Sequence, residues 1–155
     1  MDLIAIEQLK QLKHRYFRTL DLKQWPQFGD CLTDDVQARY GTRAAGDPLH
    51  FEGRTSVVAY MTENLPHSVI TLHVAQHPEI EVDGDRAIGS WCFEDTVIAT
   101  EFSATIRGGG YYRDEYVRES DGRWRIAATS YERIYEAMTS HADTPSFRLL
   151  ANRWA

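Results

Sequence analysis

Apolar residues recur at helical spacing in the first part of the chain and at strand spacing through most of the rest. Ile6, Leu9, Leu12, Tyr16, Phe17 and Leu20 fall on one stripe, with Lys13 beside Leu12, and predict an amphipathic helix over residues 3–20 that Asp21 ends. Trp25, Phe28 and Leu32 place the inward side of a short second helix over 24–32. Asp34 and Asp35 then open a strand in which Val36, Ala38 and Tyr40 share a face. Residues 55–65 read as a third helix, closed by Pro66. Beyond it the period becomes two, and strands are predicted at 68–76, 79–82, 86–100, 108–119 and 123–135. Gly84 and Gly122 sit where hairpin turns need a positive φ. The densest loop signals are Gly41–Pro48 and Arg107–Gly110, both too short to separate domains. Helices followed by hairpin-linked strands predict an α+β fold. Long strands twist and curl, so the expected shape is a cone-shaped barrel: a strongly curved, mainly antiparallel sheet with the N-terminal helices over its concave side. Such a cone encloses a natural pocket for a small molecule.

Composition narrows the partners. A chain of 155 residues suits one domain, here with a core over 3–138 and a C-terminal tail over 139–155. An apolar share of 43% and a charged share of 26% place it among globular domains and exclude disorder. The formal charge of −6 and the lack of any basic run argue against nucleic acid. Two cysteines, Cys31 and Cys92, make no disulfide framework and show no metal spacing, so they are expected to be reduced thiols in a cytoplasmic protein. No leader pattern opens the sequence and no stretch approaches a membrane span. The aromatic share of 12%, with eight tyrosines, fits a pocket with hydroxyl-bearing walls.

Candidate chemistry rests on a few side chains. Asp95 shares a strand face with Trp91, Phe93, Val97 and Ala99. A carboxylate among apolar neighbours is costly unless neutralised or paired. It is either a general acid with a raised pKa, a residue turned to solvent by a bulge, or the partner of an arginine. His73 alternates with Thr71 and Ala75, opposite Ile70, Leu72 and Val74. It is either a hydrogen-bonded structural residue or a pocket wall. His77 lies four strand residues on, roughly 13 Å away, and with no third ligand in view no metal site is expected. Asp21 either caps the next helix through its spacing to Gln24 or orients a histidine as its acid–base partner. Seven tyrosines, among them Tyr16 and Tyr40, cannot be ranked by pattern, and Arg133 stands between Tyr131 and Tyr135. The Arg107-Gly108-Gly109-Gly110 run lacks a phosphate-loop ending and the dinucleotide spacing, and is expected to bend or loosen a strand entrance.

Five segments together resemble a known family: IEQLKQLKHRYFRTLDLKQW (6–25), TLHVAQHPEI (71–80), GSWCFEDTVI (89–98), GGYYRDEYVRESDGRW (109–124) and YERIYE (131–136). The pattern is that of the polyketide-cyclase-like (SnoaL-like) branch of the nuclear transport factor 2-like superfamily. It is most similar to bacterial bile-acid dehydratases and more distantly to scytalone dehydratase and hexachlorocyclohexane dehydrochlorinase. The resemblance implies catalytic roles for His73, Asp21, Tyr16 and Asp95, with Tyr40 and Arg133 in the pocket wall. Trp91 and Phe93, on the Asp95 face, are expected to bind substrate. It implies no metal or organic cofactor, and a homo-oligomer, a trimer or a dimer. Gly41–Gly53, Glu101–Ile106 and the residues after Thr139 do not match, and these would shape the pocket mouth. The expected activity is a cofactor-independent lyase eliminating water or another β-leaving group from a cyclic, largely apolar carbonyl compound. The alternatives are an isomerase or a non-catalytic binding or structural subunit.

Overall fold

The computed structural model describes residues 1–41 and 46–155. Helix α1 (Leu3–Asp21) is followed by α2 (Trp25–Gly29), β1 (Leu32–Tyr40), β2 (Leu49–Glu52), α3 (Arg54–Asn64), β3 (Val69–Asp83), β4 (Arg86–Ala99), β5 (Ala104–Arg118) and β6 (Trp124–Ser140). The six strands form one sheet in the order β2-β1-β6-β5-β4-β3. Every neighbouring pair is antiparallel except β1 with β6, which is parallel. The fold is therefore α+β with a mainly antiparallel sheet under N-terminal helices, as the hydrophobic pattern predicts.

α1 begins where the Asp2 carboxylate accepts the Ala5 amide at 2.9 Å, an N-cap that satisfies one orphan donor. Its inward stripe (Leu9, Leu12, Tyr16, Phe17, Leu20) is fully buried and packs with Phe28, Leu32, Val36, Trp91 and Ile126 in one core. The second helix is shorter than expected. Pro26 fixes its first turn, and Leu32 belongs to β1.

The predicted strands at 68–76 and 79–82 are one strand. The β3–β4 register shifts between Gln76 and Glu79, where His77 takes φ 50°, so a bulge replaces the predicted break. β5 begins at Ala104, four residues before the expected start, and β6 runs to Ser140. Strand β2 carried no usable pattern in the sequence. The Gly41–Pro48 loop signal falls partly on residues 42–45, which lie outside the described residues. Among the described residues no helix is long and apolar enough to cross a membrane.

Candidate functional site

Strand register decides which side chains meet. His73 on β3 stands opposite Asp95 on β4, Asp95 opposite Gly108 on β5, and Gly108 opposite Glu136 on β6. Cross-strand partners share a face, so His73, Asp95 and Glu136 lie in one row on the concave side with a gap at Gly108. The apolar residues flanking His73 on β3 point the other way: Leu72 is 63% exposed.

Asp21 enters this row from the end of α1. Phe17 and Asp21 are four apart and therefore share a helix face. The Phe17 ring stacks on the His73 imidazole with centroids 5.1 Å apart and planes at 7°. The Asp21 carboxylate accepts three hydrogen bonds: from the Thr71 hydroxyl at 2.8 Å, the His73 amide at 2.9 Å and His73 Nδ1 at 2.7 Å. An ionised carboxylate only accepts, so Nδ1 carries a proton, and in the neutral imidazole Nε2 is then the nitrogen with the free lone pair. Asp21 does not cap α2; the capping position is Gln24, with no side-chain cap bond.

On the other side of the ring, His73 Nε2 lies 3.8 Å from Asp95 Oδ2. Asp95 is buried and forked by Arg133, Nη1 to Oδ1 at 2.9 Å and Nη2 to Oδ2 at 2.6 Å. Of the three readings of Asp95 the structure realises the arginine pair, a strong bidentate geometry, in place of a lone acid among apolar walls. Burial alone would lower the Arg133 pKa, but the hydrogen bonds and charge of Asp95 outweigh it and hold the guanidinium above its ordinary value. Arg133 Nε also faces Glu136 at 3.0 Å.

These groups open on a cavity of about 170 Å³ lined by Tyr16, Tyr40, Thr71, His73, Asp95 and Arg133, with Tyr60, Tyr112 and Tyr131 completing an aromatic wall. The Tyr16 and Tyr40 hydroxyls meet at 2.7 Å. Burial, reinforced by neighbouring acidic groups, pushes both phenols above their ordinary pKa. Both therefore remain neutral donors at physiological pH. Larger depressions exist: one of about 460 Å³ runs along α1 and β3 and borders Asp21 and His73, and one of about 780 Å³ lies between α1 and the β5–β6 turn. The second contains neither His73 nor Asp21, and the first lacks Tyr16, Tyr40, Asp95 and Arg133, so the cavity that gathers these four around His73 is the candidate site.

Of the expected residues, Tyr16, Tyr40, His73, Asp95 and Arg133 line one cavity, and Asp21 stands behind the imidazole, bonded to His73 Nδ1. Trp91 and Phe93 do not line the cavity, which corrects their expected role as substrate contacts. Phe93 lies behind the wall, its ring edge-on to Tyr112 and Tyr131 at 4.8 and 5.5 Å. Trp91 is two rows further down the cone, where its Nε1 donates to the Tyr116 hydroxyl at 2.8 Å. Both share parity with Asp95, but parity gives the face and not the depth. The sequence reading missed Thr71, Tyr112 and Tyr131. Thr71 had a signal, since it alternates with His73; the two tyrosines had none that set them apart from the rest. Among the described residues no group of three or more His, Cys, Asp and Glu side chains could hold a metal ion.

A second polar cluster lies deeper and carried no signal beyond the placement of Lys13 beside Leu12. Lys13 Nζ and Asp114 Oδ2 are 2.7 Å apart with both side chains fully buried. Asp114 also accepts from the Tyr116 hydroxyl at 2.8 Å and the Thr129 hydroxyl at 2.7 Å. The ammonium sits 3.7 Å from the centroid of the Tyr112 ring, a cation–π contact. Burial lowers the Lys13 pKa, while Asp114 opposes that shift.

Comparisons with known proteins agree with this architecture. The SnoaL-like domain family matches residues 1–130. An uncharacterized protein of Mycobacterium tuberculosis is 26% identical over 133 residues, covering 84% of this chain and 86% of its own. Among solved structures, a hexachlorocyclohexane dehydrochlorinase (LinA) type 2 is 18% identical with a TM-score of 0.77, covering 89% of this chain and 90% of its own. A scytalone dehydratase-like protein of Novosphingobium aromaticivorans is 15% identical with a TM-score of 0.77, covering 88% of each chain. At these identities the two structures share the fold; closeness to bile-acid dehydratases is not among the findings.

Proposed function

The chain belongs to the SnoaL-like domain family, and from that premise we propose that it is a cofactor-independent lyase. It removes water or another β-leaving group from a small cyclic carbonyl compound. The observation that carries this reading is the 2.7 Å bond between His73 Nδ1 and Asp21, beside a cavity that His73 itself lines.

The chemistry follows from the positions. His73 Nε2 takes a proton α to the carbonyl, and Asp21 stabilises the imidazolium that forms. Tyr16 and Tyr40 share one hydrogen between their oxygens, which leaves the other free to donate to the developing enolate oxygen. The enolate electrons expel the β-hydroxyl, which takes the proton back from His73 and leaves as water. Asp95 supports the imidazolium from the Nε2 side and holds Arg133 toward the cavity. The cavity of about 170 Å³ is close to the ~150 Å³ that holds benzene, which favours a one-ring substrate over a steroid. An enzyme needs the dyad within about 2.6–3.2 Å, whereas a binding subunit does not, and the observed distance favours catalysis. An isomerase is separated by product analysis, since only elimination loses a leaving group.

The test is the activity of His73→Ala and Asp21→Asn on a panel of cyclic β-hydroxy ketones and β-hydroxy thioesters. Near-wild-type turnover in both variants would sink the dyad. We also propose that the protein is a homo-oligomer, a trimer or a dimer, using outward apolar residues such as Leu72, Val74 and Ile134. Sedimentation at rising concentration reads this directly, and a monomer throughout would overturn it.

A further inference from the structure

The glycine run of β5 is absorbed by none of the chemistry above. Gly108, Gly109 and Gly110 are not at a strand entrance, as the sequence suggested, but lie inside β5 between β4 and β6. None of the three has a φ in the left-handed region, so conformational freedom is not what calls for glycine here. Space is. A Cβ placed on Gly108 would fall on Arg133 Nη1, closer than any real contact, and within 3.2 Å of Asp95 Oδ1 and 3.0 Å of the Tyr135 carbonyl oxygen. In the row His73–Asp95–Gly108–Glu136 the guanidinium occupies the volume that a side chain at 108 would otherwise fill.

Arg133 does not itself belong to that row. It stands opposite Gly110, one row down, because the β5–β6 register shifts between Gly109 and Gly110 and passes over Ile134. From there it reaches diagonally across Gly108 to fork Asp95. The same bulge turns Glu136 to the concave side, where it meets Arg133 Nε at 3.0 Å.

We propose that Gly108 is a positioning residue: its missing side chain is the seat in which Arg133 lies flat to clamp Asp95 beside His73. The site it serves is that of the lyase reading, but the seat is tested without substrate. Gly110 is a poorer probe, because a Cβ there meets the Glu132 carbonyl oxygen and lies 2.8 Å from Arg133 Cα, and backbone cannot step aside. At Gly108 the nearest atom is the tip of a flexible side chain.

The experiment is an NMR titration of His73 in the wild type, Gly108→Ala, Arg133→Gln and the double variant. His73 faces Asp21 from α1 and Asp95 from β4, and Asp95 is in turn forked by the Arg133 guanidinium from β6. Displacing the guanidinium leaves the Asp95 charge uncompensated and favours the imidazolium. Gly108→Ala is therefore expected to raise the His73 midpoint by about one unit, and Arg133→Gln to do the same. In the double variant the second change adds nothing, because both act through one guanidinium. An unmoved midpoint in Gly108→Ala, or an additional shift in the double variant, would overturn the seat. If Gly108→Ala does not fold alone, recovery of folded protein on adding Arg133→Gln supports the collision with the guanidinium. Failure of both to fold would instead place the clash on the Tyr135 backbone and defeat the proposal. Failure of the lyase reading appears separately, as a lack of turnover with every compound of the panel.

Discussion

Asp95 and Asp114 both point into the cone, and each stands beside a glycine in its row across the sheet, Asp95 next to Gly108 and Asp114 next to Gly89. Each is ion-paired with a base from a distant element. There the likeness ends. At Asp114 the base is Lys13, and hydroxyls of Tyr116 and Thr129 take up the remaining acceptor capacity. Both side chains of that pair are fully buried. At Asp95 the base is Arg133, the third neighbour is the imidazole of His73 at 3.8 Å, and the group borders a cavity. The first arrangement is satisfied and closed; the second leaves His73 Nε2 beyond hydrogen-bond reach of Asp95 and has room for another molecule. Two buried carboxylates of equal sequence character thus differ in whether their surroundings are complete. An incomplete one beside a cavity is the better candidate for chemistry.

The contrast can be broken by mutation. The largest effect is expected from His73→Ala, which should lower elimination by about 10²–10⁴-fold with a stability change of no more than about 2 kcal/mol, read by turnover and urea unfolding. Asp114→Ala should do the reverse. It leaves the buried Lys13 charge unpaired and should cost about 3–5 kcal/mol of stability, with kcat of the folded fraction little changed. Replacing both partners, Lys13→Met with Asp114→Leu, should recover most of that loss, because breaking a buried pair costs more than omitting it. If Asp114→Ala abolishes turnover in protein that remains folded, the closed cluster is not merely structural. The smallest effect concerns alkaline pH. Burial raises the Tyr16, Tyr112 and Tyr116 pKa well above 10.0. The folded state therefore favours the protonated phenols. Their contribution is complete below about pH 10 and is lost as the pH rises toward the folded values. Tyr112→Phe should reduce the stability lost between about pH 10 and 11 by roughly 1 kcal/mol, checked by urea midpoints across that range.

Much of the fold was legible because it rests on local periodicity. The stripe of α1 and the parity of His73, Thr71 and Asp95 follow from side-chain geometry within one element. The boundaries of β5 and β6 did not, because bulges and paired ends depend on the neighbouring strand. Trp91 shows the limit of parity: it faces inward as predicted but lies below the cavity, against Tyr116. Glu136 shows another. Counting by twos from Arg133 puts it on the outer face, and only the shift between Gly109 and Gly110 brings it to Arg133.

The sequence by itself determined the class of fold, the inward faces and a short set of titratable side chains on them, since each is a property of neighbours along the chain. Tertiary structure decided the pairings: Asp21 with His73 across 52 positions, Asp95 with Arg133 across 38, Lys13 with Asp114 across 101. It also placed the glycine run inside β5, where Gly108 leaves the volume that the Arg133 guanidinium fills. Such contacts are set by register and by the space left between elements, and a linear pattern carries neither.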